Sequence, residues 1–150
     1  MNTHILQKNK GFTFIEIILV IALIGITAGI SVPVYQSFQT RNDLEVSSTT
    51  IVQTLRRAQL LSQAMDGDTS WGVNVAIGNI TLFKGESFSS RNIEFDEIFS
   101  MPTSISVSGL SEIVFEKFTG EAQNIGTTTL TSINNETRSI NITSKGTVSY

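Results

Sequence analysis

Residues 8–34 read KNKGFTFIEIILVIALIGITAGISVPV, and this stretch decides how the chain is organised. From Ile17 to Val34 eighteen consecutive residues carry no charge, and the uncharged run continues in more polar form to Gln39 and Thr40. At about 1.5 Å of rise per residue, an α-helix over these residues covers roughly 27 Å, and a start at Phe12 adds about 7 Å, enough to cross a bilayer core. Lys8 and Lys10 precede the run and the next charge is Arg41, so the positive-inside bias places the first ten residues in the cytoplasm and everything after the helix outside. A secretory signal peptide has a shorter apolar core, of about 7–15 residues, followed by a small-x-small cleavage site. Here the run is too long, and Ala28 and Ser31 supply only a stretched version of such a site.

Glu16 is a lone carboxylate inside the apolar stretch. An acid in a membrane helix costs about 2.5–3.5 kcal/mol on insertion scales, which implies a partner or a function. Read without its neighbours, it is equally a first-turn acid favoured by the helix dipole and solvated at the headgroup level. Gly25, Gly29 and Pro33 interrupt an otherwise good helix former, and Pro33 lacks the amide that would bond to the Gly29 carbonyl. The sequence therefore predicts a kink or local melting near 29–33, a feature that membrane helices tolerate.

The order of a basic leader, Gly11, Phe12, Thr13, two apolar residues, Glu16 and an apolar helix closely resembles the prepilin leader and cleavage site of type IV pilins and type II secretion pseudopilins. Phe14 stands where that family often has leucine, a conservative departure. The resemblance implies that a prepilin peptidase cuts after Gly11 and methylates the new terminal amine of Phe12. It also implies that Glu16 neutralises the Phe12 amine of a neighbouring subunit during assembly, and that Gly29 and Pro33 mark a segment able to extend within a filament. The implied partners are other pilin or pseudopilin subunits, the peptidase, an inner-membrane assembly platform, and membrane lipid before assembly. The expected location is the bacterial cytoplasmic membrane, single-pass, with the N-terminus cytoplasmic and the head outside, and then the pilus or pseudopilus.

Past Pro33, apolar or small residues recur at Leu44, Ser48, Ile51, Leu55, Ala58, Ser62 and Met65, a three-and-four spacing that makes one helix face. Asp66-Gly67-Asp68 reads as the break after it; the longer oxygen-ligand pattern of a calcium loop does not follow. From Thr69 the period becomes two: Val73, Val75 and Ile77 alternate with Gly72, Asn74 and Ala76, Gly78-Asn79 makes a hairpin turn, and Ile80 and Leu82 lie on the return strand. Further strands are predicted at 92–96, 104–108, 112–117, 127–133, 137–143 and 146–150, with Trp71, Phe83, Phe95, Phe115 and Phe118 in the core. The expected fold is α+β: a long N-terminal helix, half membrane and half amphipathic, packed on a predominantly antiparallel β head of two small sheets. Its expected divisions are a cleaved leader (1–11), a transmembrane and filament-core helix (12–34), an amphipathic continuation (35–66) and the β-rich head (67–150).

Composition removes most catalytic chemistry. The chain has no cysteine, and its one histidine, His4, lies in the leader, so thiol nucleophiles, zinc-thiolate sites and histidine bases or ligands are absent from the mature form. Glu94, Asp96 and Glu97 form the densest acid group, which reads as a solvated strand face rather than a glycosidase pair. Serines such as Ser108 and Ser111 lack a histidine or a nucleophile elbow. Asn79-Ile80-Thr81 and Asn141-Ile142-Thr143 match the glycosylation triplet, a pattern frequent by chance. The expectation is a non-enzyme without cofactor or metal. Removing residues 1–11 takes away Lys8 and Lys10 but no acid, leaving eight basic against thirteen acidic side chains, a balance of −5 that disfavours nucleic acid.

TLRRAQLLSQA at 54–64, Trp71-Gly72-Val73, Phe115 with Gly120, and the closing RSINITSKGTVSY resemble the GspH/FimT group of minor pseudopilins. That likeness implies a structural subunit that aids filament initiation or protein secretion. The alternative it carries is a DNA-binding minor pilin for natural transformation, acting through a basic C-terminal region. Here that region offers only Arg138 and Lys145.

Overall fold

The computed structural model describes residues 11–149, the side chains of 31–33 excepted. The leader residues that include His4, Lys8 and Lys10 lie outside the described residues, as does Tyr150. The chain falls into two units, Met1–Gln36 and Ser37–Tyr150.

The helix α1 runs from Phe14 to Gln63. Its assignment is continuous through Gly29 and Pro33, so the local melting weighed from the sequence is not an interruption of the helix. In the first unit α1 is long and apolar enough to cross a membrane, with a mean hydropathy of 2.6 over its most apolar window. None of that window is buried inside the protein. Side chains on every side of it, from Ile15 and Leu19 to Ile24 and Ile26, are exposed, the pattern of a helix whose apolar surface is meant for lipid or other helices.

In the second unit the amphipathic part of α1 buries Leu44, Ser48, Ile51, Leu55, Ala58 and Ser62, the stripe predicted from spacing, together with Val52 and Thr54. Met65 leaves the stripe: the helix has ended at Gln63, and Met65 sits in the left-handed region at φ 53° with its side chain exposed. A short 3-10 turn, Asp66–Asp68, follows, with Gly67 at φ 68°, a value that glycine adopts without the clash a Cβ would bring.

Eight strands follow: β1 (Trp71–Ala76), β2 (Asn79–Lys84), β3 (Asn92–Ser100), β4 (Ser106–Gly109), β5 (Glu112–Phe115), β6 (Gly126–Thr131), β7 (Thr137–Ile142) and β8 (Val148–Ser149). They form two four-stranded antiparallel sheets, in the orders β3-β2-β1-β5 and β4-β6-β7-β8. Leu44, Ile51 and Leu55 of α1 share one buried cluster with Val73, Leu82 and Ile113 of the first sheet and Leu130, Ile140 and Ile142 of the second. Each such side chain contributes about 1.5–3 kcal/mol by leaving water. The α+β expectation of one long helix on two small antiparallel sheets is the fold observed.

Several details differ from the sequence reading. The first hairpin turns at Ile77-Gly78 with Ala76 paired to Asn79, which puts Ile77 in the turn and in solvent. Gly78 has φ 90°, so the residue that must be glycine sits second in the turn. β3 extends to Ser100, and the last strand is only two residues long. Trp71, Phe83 and Phe115 are core residues, but Phe95 and Phe118 are not, being 42% and 71% exposed. Phe95 falls where the pairing of β2 with β3 shifts between Leu82 and Lys84, so alternation along β3 no longer points it inward. Phe118 lies in the loop after β5.

Candidate functional site

Phe12, Thr13 and Glu16 meet at the start of α1. The Glu16 amide donates to Thr13 Oγ1 at 3.4 Å, and the Thr13 amide donates to Glu16 Oε2 at 3.5 Å. This reciprocal arrangement is a capping box, in which a threonine before the helix and an acid three residues on satisfy each other's free amides. The Thr-x-x-Glu spacing was visible in the sequence, and Thr13 is the site residue that sequence reasoning passed over. Both bonds are long and exposed. Around them Phe12, Glu16, Ile17, Val20 and Ile21 line an open groove. Glu16 is thus a carboxylate set on the exposed first turn of a helix that carries no other charge as far as Thr40.

Gly11 is not demanded by the subunit's own packing, since a Cβ built there would meet nothing within 4 Å. The same holds for Gly25 and Gly29. Thr27, the polar residue between them, has its hydroxyl within 2.9 Å of the Leu23 carbonyl and 3.0 Å of the Ile24 carbonyl, so its polar group is satisfied inside the helix.

The acid group of β3 is not a uniformly solvated face. Glu94 is exposed, but Glu97 makes two bonds of 2.6 Å to the Arg57 guanidinium. The Asp96 side chain is 8% exposed and pairs with Arg91 Nε at 2.8 Å, leaving Oδ1 buried with no partner. Arg91 also lies 3.8 Å over the Phe88 ring and donates to the Phe88 carbonyl at 2.6 Å. Glu97 thus ties β3 to α1, and Asp96 ties it to the preceding loop. Of the C-terminal cations, Arg138 is engaged with Glu45 at 3.2 Å. Among the described residues no cluster of three or more potential metal ligands occurs.

Comparison with known proteins agrees with the geometry of the first turn. Residues 6–32 match the prokaryotic N-terminal methylation motif. Two fimbrial proteins of Pseudomonas aeruginosa are each 30% identical to the chain over 90 residues, 55% of this chain and 58% of the relative. Fimbrial protein EcpC of Eikenella corrodens is 50% identical over 38 residues, a quarter of each chain. The chain therefore spans under two-thirds of the length of these relatives. No solved structure matches it. The motif opens a long helix that continues to Gln63 and is followed by antiparallel strands. The methylation motif and the likeness to fimbrial proteins support a type IV pilin-like superfamily.

Proposed function

We propose that the chain is a minor pilin or pseudopilin subunit, of the GspH/FimT kind, in a type IV pilus or type II secretion pseudopilus. It is cut after Gly11 by prepilin peptidase, N-methylated at Phe12, and held in the cytoplasmic membrane by the 12–34 helix with its head outside. Assembly then brings the Glu16 carboxylate to the cationic Phe12 amine of an adjoining copy, and the filament aids initiation or protein secretion. Gly29 and Pro33 give the helix a place to bend or extend on incorporation.

One observation carries this reading: the Gly11-to-Glu16 order ends in an ionisable group on the exposed first turn of an apolar helix. An acid so placed is costly in lipid and calls for a positive partner. Within residues 11–36 there is no basic side chain, so the subunit's own helix cannot supply that charge. The amine freed by cleavage can, from a second copy. The glycine at 11, unexplained by packing, is accounted for by a peptidase that needs close access to the backbone.

The test is mass spectrometry of the full chain extracted from cells with a working prepilin peptidase. The expected terminus is N-methylated Phe12. A chain that retains Met1 to Lys10 would overturn the proposal.

A further inference from the structure

The turns at the two ends of the β-rich unit differ in charge. Arg41 Nε bonds Glu136 at 2.7 Å, Arg138 bonds Glu45 at 3.2 Å, and Gln59 donates to the Lys145 carbonyl at 3.2 Å. β7 therefore runs alongside α1 in the same direction, and the β6–β7 turn lies beside Arg41. The loop between β3 and β4 joins it there: Ser106 pairs with Thr131 at one end of that loop, and at the other the Met101 amide donates to the Gly78 carbonyl at 3.0 Å. The β1–β2, β3–β4 and β6–β7 connections thus share one end of the unit, the end at which the chain enters it at Ser37. The far end is the one where the amides of Trp71 and Phe118 bond to Ser62.

Residues 77–79, 101–105 and 132–135 carry no charge, whereas the segments 64–70, 85–91, 116–125 and 143–147 at the far end each carry at least one. The charge-free turns present apolar tips instead. Ile77 is 61% and Ile133 69% exposed, and Pro102 is exposed in the intervening loop. Phe38, in the first helical turn of the same unit, is exposed as well. Ile133 stands on a closed turn, in which the Ser132 amide donates to the Glu136 carbonyl at 2.9 Å and the Asn135 amide to the Ser132 carbonyl at 3.0 Å. Behind the tips Arg41 and Glu136 neutralise each other, and Asp43 lies two residues farther along α1.

We infer that this end of the head rests in the headgroup layer of the bilayer, with Ile77 and Ile133 as its apolar feet. The inference rests on the proposed placement of residues 12–34 in the membrane. Arg41 is the seventh residue after Val34, so the chain alone tethers this end within about 25 Å of the apolar run when extended and about 10 Å when helical. At that range an apolar side chain gains by entering the boundary between headgroups and acyl chains, whereas a charged loop loses hydration there. The serine, threonine and asparagine side chains around the two isoleucines suit the polar layer above that boundary, since they form hydrogen bonds without carrying a charge. Phe118 at the far end is as exposed as Ile133, but it directly follows Glu116 and Lys117.

The chain has no cysteine, so a single cysteine introduced into the full chain carries one fluorescent label. In phosphatidylcholine vesicles, a nitrobenzoxadiazole label at Ile133→Cys is expected to be quenched by lipids bearing a nitroxide on the headgroup. Iodide in the water should quench it roughly threefold less than the same label at Phe118→Cys. A label at Leu23→Cys, inside the apolar run, should be quenched by a nitroxide on the acyl chain, which tests the membrane placement itself. Ile77→Cys repeats the reading on a separate turn, and circular dichroism checks that each labelled variant keeps the wild-type fold. Lipid quenching at Leu23→Cys, with iodide quenching at Ile133→Cys and Ile77→Cys equal to that at Phe118→Cys, would overturn the inference and leave the membrane placement standing. Iodide quenching at Leu23→Cys would overturn both. Shielding of Ile133→Cys that appears only as protein per lipid is raised, without nitroxide quenching, would also overturn the inference, since this end would then meet a second copy.

Discussion

The Ser62 hydroxyl accepts a hydrogen bond from the backbone amide of Trp71 at 2.9 Å. The same hydroxyl donates to the Phe115 carbonyl at 3.1 Å, and the Ser62 carbonyl accepts from the amides of Met65 and Phe118 at 3.2 and 3.0 Å. One fully buried serine thus ties the end of α1 to the start of β1 and the end of β5. Spacing identified Ser62 as a small residue on the helix stripe, but a serine that spans a helix and two strands has no signature of its own.

Ser62→Ala removes the hydroxyl's bonds to the Trp71 amide and the Phe115 carbonyl, two groups that also face each other in the β1–β5 register. Each lost hydrogen bond contributes about 0.5–1.5 kcal/mol, so the β-rich unit should lose several degrees of thermal midpoint. Trp71 is the only tryptophan, so its fluorescence during urea unfolding in detergent reports the loss at the site. An unchanged midpoint would mean that the two bonds contribute nothing net.

Two arginine–carboxylate pairs should differ sharply in worth. Arg57 and Glu97 have ideal distances but are 51% and 44% exposed, and solvent screening limits such a pair to about 0.2–1 kcal/mol. Arg91 neutralises a nearly buried Asp96 that already has one unpartnered oxygen. Arg91→Ala strands that charge and also removes the ring contact with Phe88, so it should cost about 3–5 kcal/mol. Denaturation of Arg57→Ala and Arg91→Ala side by side checks the order; equal losses would refute it.

The parts of the fold set by period and by membrane length were legible in the sequence. The apolar run, the three-and-four stripe from Leu44 to Ser62 and the alternation through Val73 and Val75 all fall where they were read. The misses share a cause, in that tertiary partners decided them. The shift in β2–β3 pairing turns Phe95 outward, Ile77 moves into the hairpin turn, and Asp96 is drawn into a pocket by an arginine five residues earlier. At the first turn, Glu16 stood out because an acid in an apolar run is costly, and Gly11 and Phe12 stood out because their order before it resembles a prepilin cleavage site. Thr13 did not, because its role appears only when its hydroxyl and amide are seen against Glu16.

Phe118 is held at φ 76° and is largely in solvent, so its ring returns little for a backbone conformation that costs an ordinary residue about 1–2 kcal/mol. Asparagine tolerates that region better and would leave the amide bond to Ser62 in place. Phe118→Asn should therefore raise stability by about 1 kcal/mol, read as an upward shift of the thermal midpoint. A fall of the same size would show that the ring has packing the exposed surface does not reveal.

Glu16 has two separable properties, its charge and its capping bond, and two substitutions divide them. Glutamine can still accept from the Thr13 amide in a capping box, whereas alanine cannot. Loss of the cap alone costs about 1 kcal/mol at the helix start, too little to block a membrane helix. On the proposed pairing with a Phe12 amine, Glu16→Gln and Glu16→Ala should both be cleaved normally and both enter sheared filaments roughly tenfold less than wild type, because a neutral side chain forms no ion pair. Immunoblots of the filament and membrane fractions separate the cases. Normal incorporation of Glu16→Gln with failure of Glu16→Ala would assign the residue to capping and remove the charge from the mechanism.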